Sequence, residues 1–333
     1  MSDRVAVVGG SGFIGCYLAR GLRQRGRAVV IFDRVPPDST RRHILAGNLA
    51  DVEFVEGDIT VPADLAGLLR REPFGAVVNL AALQSMDWCN SYPTATYDVN
   101  VRGAIGLFEL ASQARVPRVI HVSSTGALVA VDSDVVNEDH AILDVRQGHP
   151  AGHYGASKAM SEIAAMAFAA VQGLDLVILR FPSVYGFGSP HQTFLAQAVQ
   201  AVVAGEPFET ERGADDRRDY FYALDAAEAL IHAIDVPAAR LSQRLFLIAG
   251  GRLYTDREVA EILGRLAPKS RVRIGPGLSP AEAAVDSIRA TYDTSAAERQ
   301  LGFKPRYDLT DGLTDYIRWV RSYPADRDPR GVA

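Results

Sequence analysis

The chain has 333 residues, of which 48% are hydrophobic and 23% charged, and its formal net charge is −5. This composition excludes disorder as the main state, and the lack of a basic block argues against nucleic acid or an anionic membrane as the main partner. No run approaches the roughly 18 apolar residues of a membrane span, and no signal peptide is predicted. Cys16 and Cys89 are the two cysteines, so we expect a cytoplasmic protein without a disulfide framework.

The first half of the chain alternates short apolar runs with longer stretches of helical periodicity. The runs are continuously apolar, which is typical of strands that are buried on both faces. Strands are predicted at 5–8, 28–32, 52–55, 76–80, 119–122 and 176–179, and helices at 14–25, 62–71, 93–114 and 151–171. This alternation predicts an α/β fold with a Rossmann-type, doubly wound parallel sheet.

The pattern changes after about Pro182, where loops rich in Gly and Pro become common. We predict a dinucleotide-binding Rossmann domain from residues 1–181 and 219–249, and a smaller mixed α/β substrate lobe from 182–218 and 250–322. The segment 219–249 joins the first domain because it holds a helix, 223–235, and a strand, 245–248, that could return to the first sheet. Residues 323–333 are predicted to be a frayed tail.

The first predicted strand leads into a G-x-x-G-x-x-G turn with Gly9, Gly12 and Gly15, and Phe13 and Ile14 start the next helix. Glycine permits a tight turn and a close approach of the backbone to a diphosphate, and a helix N-terminus favours bound anions. The turn therefore predicts a dinucleotide site. A loop that binds no ligand is the alternative.

An acidic residue, Asp33, ends the second predicted strand 18 positions after Gly15. A carboxylate there accepts hydrogen bonds from both ribose hydroxyls and repels a 2′-phosphate, so NAD is favoured over NADP. Arg34 follows immediately and could pair with such a phosphate, which leaves NADP as the less favoured alternative.

Tyr154 and Lys158 form a Tyr-x-x-x-Lys pair on a predicted helix. Residues four apart share one helix face, so the lysine cation is expected to lower the phenol pKa from its ordinary value of about 10. The chain has 12 Tyr and 3 Lys, so few such pairs are expected by chance. An exposed Tyr–Lys pair on a solvated helix is the alternative.

Three hydroxyl residues, Ser123, Ser124 and Thr125, end the fifth predicted strand. A hydroxyl is needed to hold the substrate oxygen while a phenol carries its proton. Ser and Thr also form turns at strand ends, but doubly wound sheets bind ligands at the carboxyl ends of their strands. We predict that Thr125, with Ser123 or Ser124 nearby, holds the developing oxyanion.

The glycine turn and the Tyr154–Lys158 pair resemble those of the extended short-chain dehydrogenase/reductase family, which holds the NAD-dependent nucleotide-sugar epimerases and dehydratases. Further segments match the motifs of this family in order: 57–59, 79–82, 98–101, 180–186, 218–220 and 301–305. The resemblance covers nearly the whole chain. It implies that Tyr154 and Lys158 act in catalysis and also contact the cofactor.

The resemblance also implies contacts for other residues of these motifs. The implied cofactor contacts beyond those above are Asp58, Ile59, Leu80, Ala81, Ala82, Asn100, Ser123 and Pro182. The residues expected to contact the substrate are Gln84, Ser85, Thr125, Ser183 and Arg218.

Two departures from the family pattern limit the substrate prediction. Thr125 is followed by Gly126 and Ala127 rather than by acidic residues, so the dehydratase and decarboxylase reactions are not expected. Residues 283–286 replace the segment whose arginine often binds the nucleotide diphosphate. Arg271, Arg273 and Arg289 are candidate replacements for that arginine.

The sequence thus predicts an NAD-dependent enzyme that moves hydride at a secondary alcohol of a sugar-type substrate. The first hypothesis is a nucleotide-sugar 4-epimerase. The second is an NAD-dependent dehydrogenase or reductase of a sugar, a sugar acid or another small alcohol. The third is a non-catalytic NAD-binding sensor. No histidine spacing typical of a metal site is present, so no metal is expected.

An apolar stripe at Met160, Ile163, Ala164 and Ala167 is predicted to be core or a helix–helix contact. Members of the family commonly dimerise through this helix and the helix near 101–111, so the resemblance implies a homodimer.

Overall fold

The computed structural model describes residues 3–45, 52–71, 73–129, 133–143, 151–190, 193–283 and 290–323. The strands, in chain order, are β1 (Val5–Val8), β2 (Val29–Asp33), β3 (Val52–Glu56), β4 (Ala76–Asn79), β5 (Val119–Ser124), β6 (Val135–Val136), β7 (Leu176–Phe181), β8 (Ser183–Tyr185), β9 (Phe208–Thr210), β10 (Arg217–Tyr222), β11 (Leu245–Leu247), β12 (Leu253–Thr255), β13 (Val272–Ile274) and β14 (Thr291–Tyr292). The helices are α1 (Phe13–Gln24), α2 (Ser39–Ile44), α3 (Pro62–Arg71), α4 (Met86–Ser91), α5 (Pro93–Tyr97), α6 (Ala104–Gln113), α7 (Gly152–Gln172), α8 (Phe194–Ala204), α9 (Ala223–Asp235), α10 (Asp256–Leu266), α11 (Pro280–Ala283) and α12 (Leu309–Ser322).

Within the described residues, seven of these strands form one sheet in the order β3-β2-β1-β4-β5-β7-β11. All neighbouring strands of this sheet run parallel. The strand order reverses between β1 and β4, and doubly wound sheets bind ligands beyond the carboxyl ends of their strands at such a point. The predicted Rossmann-type α/β fold is confirmed.

The predicted elements of the first half correspond to observed ones, although β5 and β7 each continue two residues beyond their predicted ends. The predicted helix 93–114 consists of α5, a π-helical segment (Asp98–Gly103) and α6. The strand predicted at 245–248 is β11, which pairs with β7. The division into two domains stays a prediction. Residues 284–286, Arg289 and the predicted tail beyond residue 323 lie outside the described residues.

The central strands are continuously apolar because helices cover both faces of the sheet. In β1, Val5 and Val7 pack into one hydrophobic cluster, and Ala6 and Val8 pack into another. The first cluster includes residues of α1 and α9, and the second includes residues of α3, α6 and α7. Among the described residues, helices thus cover both faces of the central strands, whereas the edge strand β3 is only partly buried.

Three smaller sheets are formed by the remaining strands of the described residues. β10 pairs parallel with β8 and antiparallel with β12, β9 pairs with β13, and β6 pairs with β14. Helix α10 follows β12 directly and begins with a capping box between Thr255 and Glu258. None of the helices in the described part of the chain has both the length and the apolar character that a membrane crossing requires.

A buried ion pair joins α7 to the central sheet. The guanidinium of Arg180 donates to both carboxylate oxygens of Glu162 at 2.9 and 2.7 Å, and the two side chains are 3% and 2% exposed. A paired, bidentate geometry is what makes two buried charges tolerable. Glu162 lies one helical turn after Lys158, so the pair also positions the helix that carries the predicted Tyr and Lys.

The substitution Glu162→Ala leaves the charge of Arg180 buried without its partner, so we expect the free energy of unfolding to fall by about 3–5 kcal/mol. The control is Arg102→Ala, which removes an ion pair with Asp98 whose side chains are 58% and 44% exposed. Loss of such an exposed pair should cost about 0.5 kcal/mol or less. Denaturant unfolding followed by circular dichroism measures both, and equal losses in the two variants would contradict the prediction.

Candidate active site

The carboxyl ends of the central strands border two adjoining cavities, which we call the crevice. One, of about 430 Å³, lies between the glycine turn, the ends of β5 and β7, and helix α7. The other, of about 320 Å³, continues past the ends of β2 and β3. The predicted cofactor residues that line the crevice are Gly9, Gly12, Phe13, Ile14, Gly15, Asp33, Arg34, Asp58, Ile59, Leu80, Ala81, Ala82, Ser123, Tyr154, Lys158 and Pro182.

The glycine turn leaves no room for a side chain at Gly9 or at Gly15. Gly9 has a φ of +77°, and a Cβ there would lie 2.5 Å from the amide nitrogen of Ala81. A Cβ at Gly15 would lie 2.6 Å from the carbonyl oxygen of Gly10, so α1 packs directly on the turn. Helix α1 begins at Phe13 without a side-chain cap, and its first amide groups have no partner within the helix. This arrangement fits a diphosphate.

Asp33 lies at the end of β2 in the second part of the crevice. Its carboxylate accepts hydrogen bonds from the backbone amides of Ser11 at 3.1 Å and Arg34 at 2.8 Å. Burial raises the pKa of the Asp33 carboxyl, and these amide bonds oppose the rise. Each carboxylate oxygen retains a further lone pair, so the group fits ribose hydroxyls as ligands. The exposed side chain of Arg34 borders the same space.

Asn100 lies behind the lining of the crevice, although it was predicted to contact the cofactor. The side chain is 2% exposed, and its amide group bonds the backbone of Leu83 at 2.8 and 3.0 Å and the hydroxyl of Ser157 at 2.9 Å. Asn100 therefore ties the loop after β4 to α7. Its place favours an indirect role in shaping the crevice over the predicted direct contact.

Tyr154 and Lys158 both border the crevice from α7. Lys158 is 3% exposed, its Nζ donates to the carbonyl oxygen of Val122 at 2.7 Å, and burial lowers its pKa to about 8. Burial also raises the pKa of the Tyr154 phenol, and a hydrogen bond with the hydroxyl of Ser124 opposes this rise. The phenol pKa is thus raised in this structure rather than lowered as predicted, because burial outweighs the hydrogen bond with Ser124.

The three hydroxyl residues at the end of β5 have different partners. The Oγ of Ser123 is buried, lines the crevice and has no hydrogen-bond partner among the described residues. Ser124 hydrogen-bonds the phenol of Tyr154, whereas Thr125 hydrogen-bonds Tyr292 of β14. Ser124 is therefore the hydroxyl in contact with the phenol, and Thr125 lines the crevice beside it.

A buried polar chain lies behind Lys158. One ring nitrogen of His121 is 3.2 Å from the side-chain amide of Asn79, and the other is 3.0 Å from the hydroxyl of Ser161. Burial, together with the nearby Lys158 cation, holds the pKa of His121 well below its usual range. His121 is therefore neutral at pH 7 and adds no positive charge beneath the lysine.

The residues predicted to contact the substrate fall in three places. Gln84, Thr125 and Ser183 line the crevice. Ser85 is exposed, and its hydroxyl caps α4 by accepting a backbone amide of that helix at 3.3 Å. Arg218 lines a different cavity. The structure therefore does not bring all five together.

This other cavity, of about 300 Å³, adjoins the crevice and shares Ser183, Val184 and Thr193 with it. We call it the side cavity. Besides Arg218, its lining includes Asp216 and Asp256. Sequence reasoning missed both carboxylates, since one precedes β10 and the other is the first residue of α10, and no spacing rule links them.

Other lining residues of the crevice were also missed, either because their segments carry no recognisable motif or, as for Gly57, Val99, Phe181 and Val184, because other residues of the motif were chosen. They are Arg41, Met86, Val122, Phe181, Val184, Pro190 and Thr193 in the first part and Val8, Phe32, Gly57, Leu83, Trp88, Ala95 and Val99 in the second. Among the residues that the structure describes, no three or more His, Cys, Asp and Glu side chains are grouped so that they could hold a metal ion.

Comparison with known proteins gives consistent results. The chain is 29% identical to the UDP-glucose 4-epimerase of Mycolicibacterium smegmatis, over 96% of this chain and 99% of that protein. It is 28% identical to UDP-glucuronate 4-epimerase 3 of Arabidopsis thaliana, over 96% of this chain and 76% of that protein. The solved structure of MoeE5 in complex with UDP-glucuronic acid and NAD has a TM-score of 0.75 at 28% identity, and covers 96% of this chain and 99% of its own.

A family model described as the NAD dependent epimerase/dehydratase family matches residues 5–249, which is most of the chain. The match includes the glycine turn, the end of β5 and the Tyr154–Lys158 helix. The chain therefore belongs to the NAD-dependent epimerase/dehydratase family, and it is an NAD-dependent enzyme of the extended short-chain dehydrogenase/reductase type.

Proposed function

We propose that the protein oxidises a secondary alcohol of a sugar-type substrate, with NAD as the hydride acceptor. The observation that carries this proposal is that Tyr154, Lys158 and the glycine turn border one cavity. When bound, NAD supplies the hydride acceptor at its nicotinamide ring, and the chain supplies binding, orientation and proton transfer.

The residues of the crevice suit the successive parts of NAD. The amides at the start of α1 suit the diphosphate, and Asp33 suits the hydroxyls of the adenosine ribose. Asp58 is held at the edge of the crevice, since one of its oxygens accepts both the amide and the hydroxyl of Thr60 at 2.8 Å. Asp58, together with Ile59, suits contact with the adenine ring. The same carboxylate at Asp33 favours NAD over NADP, because it repels a 2′-phosphate.

Tyr154 acts as the base that takes the proton of the substrate hydroxyl. Burial opposes ionisation of the phenol, so the charged form depends on groups that favour it. The hydroxyl of Ser124 lowers the phenol pKa, and the ammonium of Lys158, one helical turn along α7, would favour the charged phenol and hydrogen-bond the nicotinamide ribose when NAD is bound. Thr125 and the unpartnered hydroxyl of Ser123 hold the substrate oxygen as its negative charge develops.

The first candidate reaction is 4-epimerisation, supported by relatives that are named 4-epimerases. If the keto intermediate stays bound and turns over, hydride returns to its other face and the epimer is formed. The second candidate is net dehydrogenation, in which the keto product leaves. Dehydration is not proposed, since Gly126 and Ala127 offer no carboxylate after Thr125. A non-catalytic sensor is not proposed either, because the family match and the named relatives support an enzyme.

A homodimer through α7 is part of the proposal. Met160 and Ile163 of the predicted stripe are 48% and 60% exposed, and Met166 beside it is 42% exposed, so this stripe lies outside the core of the chain. Exposed apolar side chains in one stripe favour contact with a second copy. The cytoplasmic location stays a prediction from the low cysteine content.

The substitution Asp33→Ala removes the acceptor proposed for the ribose hydroxyls. Hydrogen bonds to a charged group contribute about 1.5–3 kcal/mol, so NAD should bind about 10- to 100-fold more weakly, with a smaller preference over NADP. Calorimetric titration with each cofactor measures this. Glu56→Ala is the control, because Glu56 pairs with Asp33 in register on β3 but is exposed and outside the crevice lining. An unchanged NAD to NADP ratio in Asp33→Ala would mean that another group selects the cofactor.

The substitution Tyr154→Phe removes the proposed base and keeps the ring. We expect kcat to fall by about 10²–10⁴-fold, with NAD affinity nearly unchanged. The assay follows NADH absorbance and NMR spectra of the sugar, with NAD and a panel of UDP-, GDP- and dTDP-sugars, free sugars and sugar acids. Net NADH indicates a dehydrogenase, and a new epimer without NADH indicates an epimerase.

The control for that substitution is Tyr92→Phe, since Tyr92 is 57% exposed and does not line the crevice. Its activity should equal that of the unmodified protein. Turnover that survives in Tyr154→Phe at the level of Tyr92→Phe would refute the assigned base. Absence of turnover with every compound in the panel would count against the proposed function itself.

The substitution Ser124→Ala removes a hydrogen bond that lowers the pKa of the Tyr154 phenol. The pKa of the phenol should therefore rise. Because the ionised phenol is the base, the limb of the kcat–pH profile that rises with pH should move to higher pH. Thr125→Val should lower kcat without moving this limb, since Thr125 bonds Tyr292 rather than the phenol. A limb that moves only in Thr125→Val would reverse the two assigned roles.

A further inference from the structure

The guanidinium of Arg218 in the side cavity already has carboxylate partners. Its Nη1 lies 3.2 and 3.0 Å from the two carboxylate oxygens of Asp256. Its Nη2 lies 3.4 Å from Asp216 and 3.6 Å from Glu282. Three carboxylates therefore surround the arginine that was predicted to contact the substrate.

Neither aspartate is free to move away when an anion arrives. The side chains of Asp216 and Asp256 are 3% and 4% exposed, so solvent screens their charges little. The hydroxyl of Tyr220 donates to Asp256 at 2.5 Å, and the amide of Ser279 donates to Asp216 at 2.9 Å. These bonds fix both carboxylates against Arg218.

The charge balance of the side cavity is unfavourable for a diphosphate. Arg212 also lines the cavity, and its side chain is exposed. Within the described lining, the two guanidinium groups are balanced by the carboxylates of Asp216 and Asp256, and Glu282, 3.6 Å from Arg218, adds a further negative charge close by. A diphosphate would bring further negative charge against fixed carboxylates, and such like-charge contact rejects a ligand.

Hydroxyl groups suit the same lining. A sugar hydroxyl donates one hydrogen bond and accepts others, and the cavity offers carboxylate acceptors beside a guanidinium donor. The side cavity also meets the crevice at Ser183 and Thr193, so one molecule can extend from Tyr154 into it. An uncharged ligand with hydroxyl groups can hydrogen-bond both the carboxylates and the guanidinium, and it is repelled by neither.

We infer that the side cavity binds the uncharged, hydroxylated end of a sugar that carries no nucleotide, and that it rejects a nucleoside diphosphate. This inference rests on the proposed function, because it treats the side cavity as the far end of the substrate site whose reacting alcohol lies at Tyr154. It sets this chain apart from the relatives that are named for UDP-sugars.

Calorimetric titration of the NAD-loaded protein with UDP tests the inference without any catalytic step. The unmodified protein should bind UDP with a Kd weaker than about 1 mM. Asp256→Asn removes one negative charge beside Arg218 at nearly constant shape, and should strengthen UDP binding by at least about tenfold. Asp215→Asn is the control, since Asp215 pairs with Arg257 at the surface, with a side chain that is 52% exposed, and does not line the cavity.

Micromolar binding of UDP to the unmodified protein, lost in Arg218→Ala, would overturn the inference. That measurement stands even if Asp256→Asn does not fold, which a thermal unfolding curve reveals. In the turnover panel, free sugars should react and UDP-sugars should not. Turnover of UDP-sugars alone overturns the inference and leaves the proposed function intact. If no compound reacts, the proposed function fails, and the UDP titration still decides whether the cavity rejects a diphosphate.

Discussion

The close contact between the backbones of Gly9 and Ala81 is the constraint on which the site depends. Gly9 follows β1 and Ala81 follows β4, and these strands are neighbours at the point where the strand order reverses. A side chain at Gly9 would separate the two ends, because a Cβ there would overlap the amide of Ala81. With the contact in place, the start of α1 lies in the same crevice as the carboxyl ends of β4 and β5 and the first turns of α7.

Burial governs the chemistry of the two proposed catalytic side chains. It raises the pKa of the Tyr154 phenol and lowers that of the Lys158 amine, so it opposes the charged form of each. The Ser124 hydroxyl acts against the first shift, and the Glu162 carboxylate acts against the second. Glu162 is itself held by Arg180 on β7. The ionisation of the pair thus depends on contacts that connect α7 with two strands of the sheet.

The side cavity shows that the neighbours of an arginine determine which ligand it can bind. An arginine by itself suggests a phosphate partner, since its guanidinium is cationic and offers several donors. Here Arg218 lies between carboxylates from the segment before β10 and from the first turn of α10. Its charge is already balanced within the chain, and its remaining role is that of a hydrogen-bond donor.

Much of the fold and the outline of the site could be predicted from the sequence alone. The strands of the central sheet are short, continuously apolar runs, and burial on both faces leaves such runs few alternatives. The glycine turn, Asp33 and the Tyr154–Lys158 pair are local patterns, and all of them border the crevice. The glycine turn follows β1 and Asp33 ends β2, so both lie at the carboxyl edge of the sheet, where all of its parallel strands end.

Only the tertiary structure decided the partners of individual polar groups. The hydroxyl of Thr125 bonds Tyr292, which is far along the chain, and Ser124 contacts the phenol instead. Asn100 bonds the loop after β4 and α7 rather than lining the crevice. Hydrogen bonds and ion pairs act over a few ångströms, so they depend on which distant segments the fold brings together. Apolar periodicity and glycine turns act within one segment, and for that reason the sequence determined them by itself.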